Sequence, residues 1–209
     1  MKLFLASRMS NQLTIKKLEE CVGGLKNKTI VYIPTAANAE GLGRWKNSET
    51  WRTIRKLGAI TIPVHLEDYR NTSVVEEIES VKPNIIWFAG GYPGYLMYWV
   101  MRCSLDKYLP KILGDKVWYV GSSAGAMVAG QSLEVATFGF TDNERGASDI
   151  KTMNLVNFDI FPHYQDKFLS KVKKNYKGKK LYLLKDGEEI IVEDDKITVI
   201  GEERIITND

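Results

Sequence analysis

The sequence predicts an α/β protein with three layers: a mostly parallel central sheet, helices on both its faces, and a C-terminal β-hairpin. Three observations carry that expectation. Short apolar runs alternate with helical patterns along the chain, as in successive βα units. Ile85-Ile86-Trp87-Phe88 and Val117-Trp118-Tyr119-Val120 are almost continuously apolar, which suits strands covered on both faces. At 209 residues the chain is long enough to bury a core without disulfide or metal staples, and residues 1–209 read as one domain.

Leu3 to Ala6 is the first strand. Ser10 is placed to cap a helix with Leu13, Leu18 and Val22 on its apolar side, and Gly23-Gly24 stops it. Thr29 to Ile33 is the second strand, closed by Pro34. Trp45 to Leu57 has a helical pattern ending at Gly58, and Ala59 to Val64 is a third strand. Ser73-Val74-Val75-Glu76 fits a capping box opening another helix. Asn84 to Phe88 and Lys116 to Val120 are the next strands. A helix from Gln165 to Tyr176 precedes apolar runs at Leu181–Leu184, Ile190–Val192 and Ile197–Ile200. The last two read as a hairpin across Asp194-Asp195 that extends the sheet at an edge.

Composition narrows the function classes. Lys plus Arg is 29 and Asp plus Glu is 26, a formal charge of +3, too balanced for a dedicated nucleic-acid binder. Cys21 and Cys103 cannot build a disulfide scaffold or a CxxC zinc site, and they read as small apolar groups in a reducing compartment. The N-terminal apolar run stops at Ser7-Arg8, too soon for a signal peptide. Pro83 to Met101 carries no charge, but Asn84, Gly90, Gly91, Pro93 and Gly94 break it, so it suits a strand, a turn and a buried helix better than a membrane span. A soluble, cytoplasmic protein with no nucleic-acid or membrane partner is expected.

The chemistry concentrates in Gly121-Ser122-Ser123-Ala124-Gly125-Ala126. Gly121-x-Ser123-x-Gly125 follows a buried strand and precedes a small-residue helix, the setting of a nucleophile elbow. Such a serine sits on a strained turn, where residues without bulk let helix and strand approach, near N–H groups that can stabilise an oxyanion. A turn that binds phosphate, or merely turns, is the plainer reading of the pentapeptide. Ser122 is a rival nucleophile, but only Ser123 has glycine two residues away on each side.

A serine nucleophile needs a base, and the chain has two histidines. His65 lies beside Leu66-Glu67-Asp68 at a strand end, a common place for a structural histidine. His163, in Phe161-Pro162-His163-Tyr164, is the candidate by elimination, with proline fixing the backbone before it. Phe88-Ala89-Gly90-Gly91-Tyr92-Pro93-Gly94 follows another buried strand and could supply a second oxyanion donor.

Together these stretches resemble the dipeptidase E family of serine peptidases, which includes aspartyl dipeptidase. The matching pieces run in order: Ile33-Pro34-Thr35-Ala36-Ala37, Gly90-Gly91, Gly121 to Ala126, and Asn154-Leu155-Val156-Asn157-Phe158-Asp159 leading into Pro162-His163-Tyr164. The resemblance covers essentially the whole chain. It implies a fold like that of class I glutamine amidotransferases, and a Ser-His-Glu triad of Ser123, His163 and a late acid. Glu188 matches the acid by position in Lys185-Asp186-Gly187-Glu188-Glu189, with Asp186 and Glu189 as rivals. It implies an oxyanion hole from the N–H groups of Gly91 and Ala124, and an enzyme that needs no metal or cofactor. The implied partner is a small peptide, with N-terminal Asp as one option, and a homodimer is left open.

Two departures bear on substrate. Tyr92 stands where the family commonly has Asn after the glycine pair, and Thr141-Asp142-Asn143-Glu144-Arg145 matches the family's recognition loop only loosely. Arg145 is the one arginine between Ser123 and His163, so it and Tyr92 are the expected substrate-binding residues. Two other classes compete. An α/β-hydrolase-type esterase would draw its acid from before the histidine, where Asp142, Asp149 and Asp159 stand. A non-catalytic binding protein on the same fold would account for the altered Gly-Gly-Tyr-Pro loop.

Overall fold

The computed structural model describes residues 1–70, 72–139, 144 and 146–208. Its first half is built of β1 (Lys2–Ala6), α1 (Gln12–Val22), β2 (Thr29–Ile33), α2 (Thr35–Asn38), α3 (Glu49–Ile54), β3 (Ile60–Pro63), α4 (Val75–Ser80) and β4 (Ile85–Phe88). Then follow α5 (Pro93–Arg102), α6 (Leu105–Leu113), β5 (Trp118–Ser122), α7 (Ala124–Met127), β6 (Asp159–Phe161) and α8 (Leu169–Asn175). β7 (Lys180–Leu183), β8 (Glu189–Glu193), β9 (Lys196–Ile200) and β10 (Ile205–Thr207) complete the chain.

The main sheet has the order β3-β2-β4-β5-β1-β8-β9. The first five are parallel neighbours, whereas β8 runs antiparallel to β1 and β9 antiparallel to β8. Strand periodicity of two divides the core. Leu3, Leu5, Val31, Ile33, Ile86, Phe88 and Tyr119 pack on one face with α5 and α6. Phe4, Ile30, Tyr32, Ile85, Trp87, Trp118 and Val120 pack on the other with the Ile15, Leu18 and Val22 side of α1. This is the three-layer, mostly parallel α/β arrangement that the sequence predicts, with the β8–β9 hairpin at its edge. Among the described residues no helix is long and apolar enough to cross a membrane.

Several local expectations shift. Asn11, not Ser10, caps α1, its side chain accepting from Leu13 N at 2.8 Å. The helix expected over 45–57 is broken at Ser48, which is extended and whose Oγ accepts from Trp51 N, so a 3-10 turn (Arg44–Asn47) precedes a shorter α3. The break turns Trp45 edge-on against Trp51, 4.6 Å between ring centroids, over Tyr32. Ser73 Oγ accepts from Val75 N, one residue short of the N3 contact of a capping box. β7 joins a separate three-stranded sheet, β10-β7-β6, which the sequence analysis does not anticipate. β6 and β10 have three residues each, too few to show a period.

The topology decides where chemistry can occur. β1, β4 and β5 are parallel and end side by side, so the turns after them share one edge of the sheet. The parallel pairing of β6 with β7 sets Phe161 beside Leu183, so the residues after both strands emerge together.

Candidate active site

Ser123 lies between β5 and α7 with φ 51° and ψ −110°, a conformation that costs a β-substituted residue strain. The flanking glycines are steric requirements. A Cβ on Gly121 would press on the Gly125 carbonyl, and one on Gly125 would overlap the Phe88 carbonyl of β4. Helix, strand and neighbouring strand thus meet through backbone alone. Tyr119 Oη fixes the arrangement by donating to the Gly125 carbonyl at 2.5 Å. Ala124 is the first residue of α7, so its N–H has no acceptor within the helix.

His163 Nε2 is 2.9 Å from Ser123 Oγ, and His163 Nδ1 is 2.6 Å from Asp186 Oδ1. The imidazole stands between a hydroxyl and a carboxylate, with each ring nitrogen engaged. His163 is itself in the left-handed region, φ 56°, and its backbone N–H donates to Ser7 Oγ at 2.8 Å. The Ser7 hydroxyl in turn donates to Asp186 Oδ1 at 3.1 Å, and Arg8 Nη1 to Asp186 Oδ2 at 3.3 Å. Burial acts to raise the Asp186 carboxyl, but the His163 hydrogen bond and charge, with Ser7 and Arg8, outweigh it and hold it below the usual carboxylate range.

The carboxylate at the imidazole is therefore Asp186, not Glu188. Gly187, at φ 91°, lets the chain turn between them, with Glu188 N donating to the Lys185 carbonyl. The turn sends Glu188 the other way, where it receives Arg204 Nη1 at 2.7 and 3.0 Å and Lys185 N at 2.8 Å. Glu188 thus ties the β7–β8 turn to the C-terminal segment. Glu189 is also elsewhere, buried against α1 with Thr14 Oγ1 donating to it at 3.2 Å. Burial pushes its carboxyl up to about 7. Spacing in sequence cannot separate three acids in one turn, because a single left-handed residue reverses the side-chain directions.

Gly91 lines a cavity of about 460 Å³ together with Ser123, His163, Arg8 and Glu144. That volume suits a ligand of dipeptide size. The Gly90 Cα faces the serine, since a Cβ there would come within 3.2 Å of Ser123 Cβ. Gly91, φ 134°, packs on Ala36 of α2 so closely that no side chain could fit. Tyr92 is not among the residues lining the cavity; its N–H donates to the Ala36 carbonyl at 3.0 Å. Arg145 lies outside the described residues. Glu144 of the same loop accepts from Gly94 N and Tyr95 N at 2.7 and 2.8 Å, capping α5. Ser7 and Arg8 are the site residues that sequence reasoning missed. The available signal was position: they follow a strand central to the sheet, at the edge where the other turns emerge.

Of the acids before the histidine, Asp149 and Asp159 do not reach it. Asp159 receives Gln131 N, Ser132 N, Ser132 Oγ and Tyr176 Oη, and Asp149 sits in a 3-10 turn beside Ser148. Asp142 lies outside the described residues. The order in the chain is serine, histidine, acid, not the serine, acid, histidine of α/β-hydrolases.

A family model for peptidase family S51 matches residues 3–200, nearly the entire chain. The chain belongs to this family. It is a serine-type peptidase of the dipeptidase E kind. Curated relatives of this peptidase include the uncharacterized peptidase Lin0382 of Listeria innocua, 25% identical over 205 residues, covering 93% of the chain and 94% of the relative. The uncharacterized peptidase PM1590 of Pasteurella multocida is 24% identical, covering 78% and 77%. Among solved structures, a protein assigned to peptidase E from Listeria monocytogenes EGD-e superimposes with a TM-score of 0.78 at 22% identity, over 95% of this chain and 97% of that one. A peptidase from an acI-B1 actinobacterium gives 0.73 at 20% identity, over 99% and 93%. At those identities the structural likeness speaks for the fold.

Proposed function

We propose that this peptidase hydrolyses dipeptides or short peptides through an acyl-enzyme, with Ser123 as nucleophile, His163 as general base and Asp186 as the acid that orients it. The single observation that carries the reading is the continuous relay Ser123 Oγ, His163 Nε2, His163 Nδ1, Asp186 Oδ1. Ser123 Oγ attacks the scissile carbonyl carbon while its proton passes to His163 Nε2, and the carbonyl becomes a tetrahedral oxyanion. The N–H groups of Gly91 and Ala124 stabilise that oxyanion, in line with the nucleophile-elbow geometry at Ser123. His163 then protonates the leaving amine as the C–N bond breaks. Water, deprotonated by the same imidazole, attacks the ester and releases the acid product. Asp186 stays ionised throughout and stabilises the imidazolium.

The finer preference is for an N-terminal acidic residue. Arg8 supports it, being the one arginine or lysine among the described residues that line the cavity, with a half-exposed side chain. A fluorophosphonate probe tests the reaction class. Stoichiometric labelling that is lost in Ser123→Ala and kept in Ser122→Ala is expected, and a folded protein that takes no label at Ser123 would sink the proposal. A dipeptide panel read by released amine then ranks Asp-X against neutral substrates.

A further inference from the structure

The loop that bears Gly91 rests on α2, and α2 is a weak foundation by itself. It has four residues, and its N-cap, Pro34, makes no side-chain capping bond. An isolated turn of that length does not hold its own shape. Both of its hydrogen-bonding side chains, buried Thr35 and Asn38, end instead on one carboxylate, that of Glu67 in the 3-10 turn Leu66–Tyr69. Thr35 Oγ1 donates to Glu67 Oε2 and Asn38 Nδ2 to Glu67 Oε1, each at 2.9 Å. Tyr95 Oη of α5 approaches Glu67 Oε1 at 3.5 Å. Thr35 Oγ1 also accepts from Leu66 N at 3.1 Å, and Asn38 Nδ2 lies 3.1 Å from His65 Nδ1.

We propose that Glu67 is a positioning residue for the oxyanion donor Gly91. Its carboxylate binds α2 on one side and α5 on the other, and these two elements bracket the loop from Gly90 to Tyr92. The coupling is short and rigid: Glu67 to Thr35 and Asn38, then the Ala36 carbonyl to Tyr92 N–H, with Gly91 pressed against Ala36 without room for a methyl group. A shift of α2 is therefore a shift of the Gly91 N–H. Oxyanion stabilisation depends steeply on donor placement, so a displacement well under the size of an atom is costly in the transition state and nearly free in the ground state. A carboxylate suits the task because it only accepts; a carboxamide would turn an NH₂ toward one of the donors. The inference rests on the proposed roles of Ser123 and Gly91.

Glu67→Gln tests it. With active sites counted by fluorophosphonate labelling, kcat per site should fall by about tenfold to a hundredfold, within the cost of losing one oxyanion donor, while KM changes by less than about threefold. Affinity for a peptide boronate, which forms the tetrahedral adduct, should fall in parallel with kcat. Thr35→Val, which removes the hydroxyl, should repeat the pattern and Thr35→Ser should keep parental kcat, so the threonine pair decides if Glu67→Gln does not fold. A lowered Tm with unchanged kcat per labelled site would reduce Glu67 to a structural brace and overturn the inference. So would Thr35→Ser being as impaired as Thr35→Val. A parent that takes no label at Ser123 overturns the functional reading and this inference together, whereas a labelled parent with unaffected variants overturns this inference alone.

Discussion

The two halves of the site are built in opposite ways. The Ser123 turn is local: strand, turn and helix lie within residues 118–127, and its geometry follows from which residues there lack bulk. The His163 half is assembled from three distant segments, since Ser7, His163 and Asp186 meet across 156 and 179 positions of chain. A local device can be read from a pentapeptide. An assembled one is specified only by strand order, by the parallel pairing of β6 with β7, and by which way a turn residue points. The difference teaches where each half is vulnerable. The first breaks through sterics, and the second through the loss of individual hydrogen bonds.

The largest expected effect falls on the assembled half. Asp186→Asn leaves the shape but presents the wrong tautomer to His163, and kcat should drop by about 10³–10⁴-fold with little change in Tm. Glu188→Gln should do the converse, lowering Tm through the Arg204 tie while kcat stays near the parent value. Equal kinetic losses in both variants would erase the distinction between the two acids.

Next in size is recognition. Arg8→Ala should lower kcat/KM for Asp-X dipeptides by about tenfold to a hundredfold more than for neutral dipeptides, the cost of a charge-assisted bond. Because Arg8 also touches Asp186, a common loss on both substrates is expected on top. If only the common loss appears, Arg8 serves the protein's own carboxylates, Asp186 and Glu49, and not the substrate. Arg145→Ala on the same panel then becomes the test of acidic preference.

The local half is probed by Gly125→Ala. The added methyl group meets the Phe88 carbonyl and Cβ, so β4 and α7 must separate. Overpacking of this kind costs roughly 2–3 kcal/mol, a Tm loss of roughly 5–10 °C for a chain of this size. Unchanged stability would mean that strand and helix approach less closely than described.

The smallest effect concerns two acids of one segment that titrate in opposite directions. Asp186 is held low, so its modest contribution to stability is present above the ordinary carboxylate range and is lost as pH falls through its lowered value. Glu189 is raised from 4.5 to about 7 by burial, so its protonated form favours the fold at low pH, and that advantage is lost as pH rises through 7. Glu189→Gln should therefore raise Tm at pH 8, by on the order of 3 °C, and have little effect at pH 4. A constant difference across that range would remove the titration from the explanation.

The sequence by itself determined the layered α/β architecture, because periodic apolar runs and strands buried on both faces leave few other ways to cover a parallel sheet. It also determined Ser123 as the best nucleophile candidate and His163 as its partner, since glycine spacing and a pair of histidines are properties of the chain alone. It could not show that the helix expected over 45–57 would break at Ser48, where a hydroxyl competes for the backbone, or that strands as short as β6 and β10 would form. Its positional match favoured Glu188 over Asp186 and Glu189, whereas the carboxylate at the imidazole is Asp186. Only the tertiary structure decided that, because one left-handed glycine sends Asp186 to the imidazole and Glu188 to Arg204, and the next residue enters β8 with its side chain under α1. Side-chain direction in a turn is set by backbone dihedrals and by what waits on each side, and neither is written in the order of the residues.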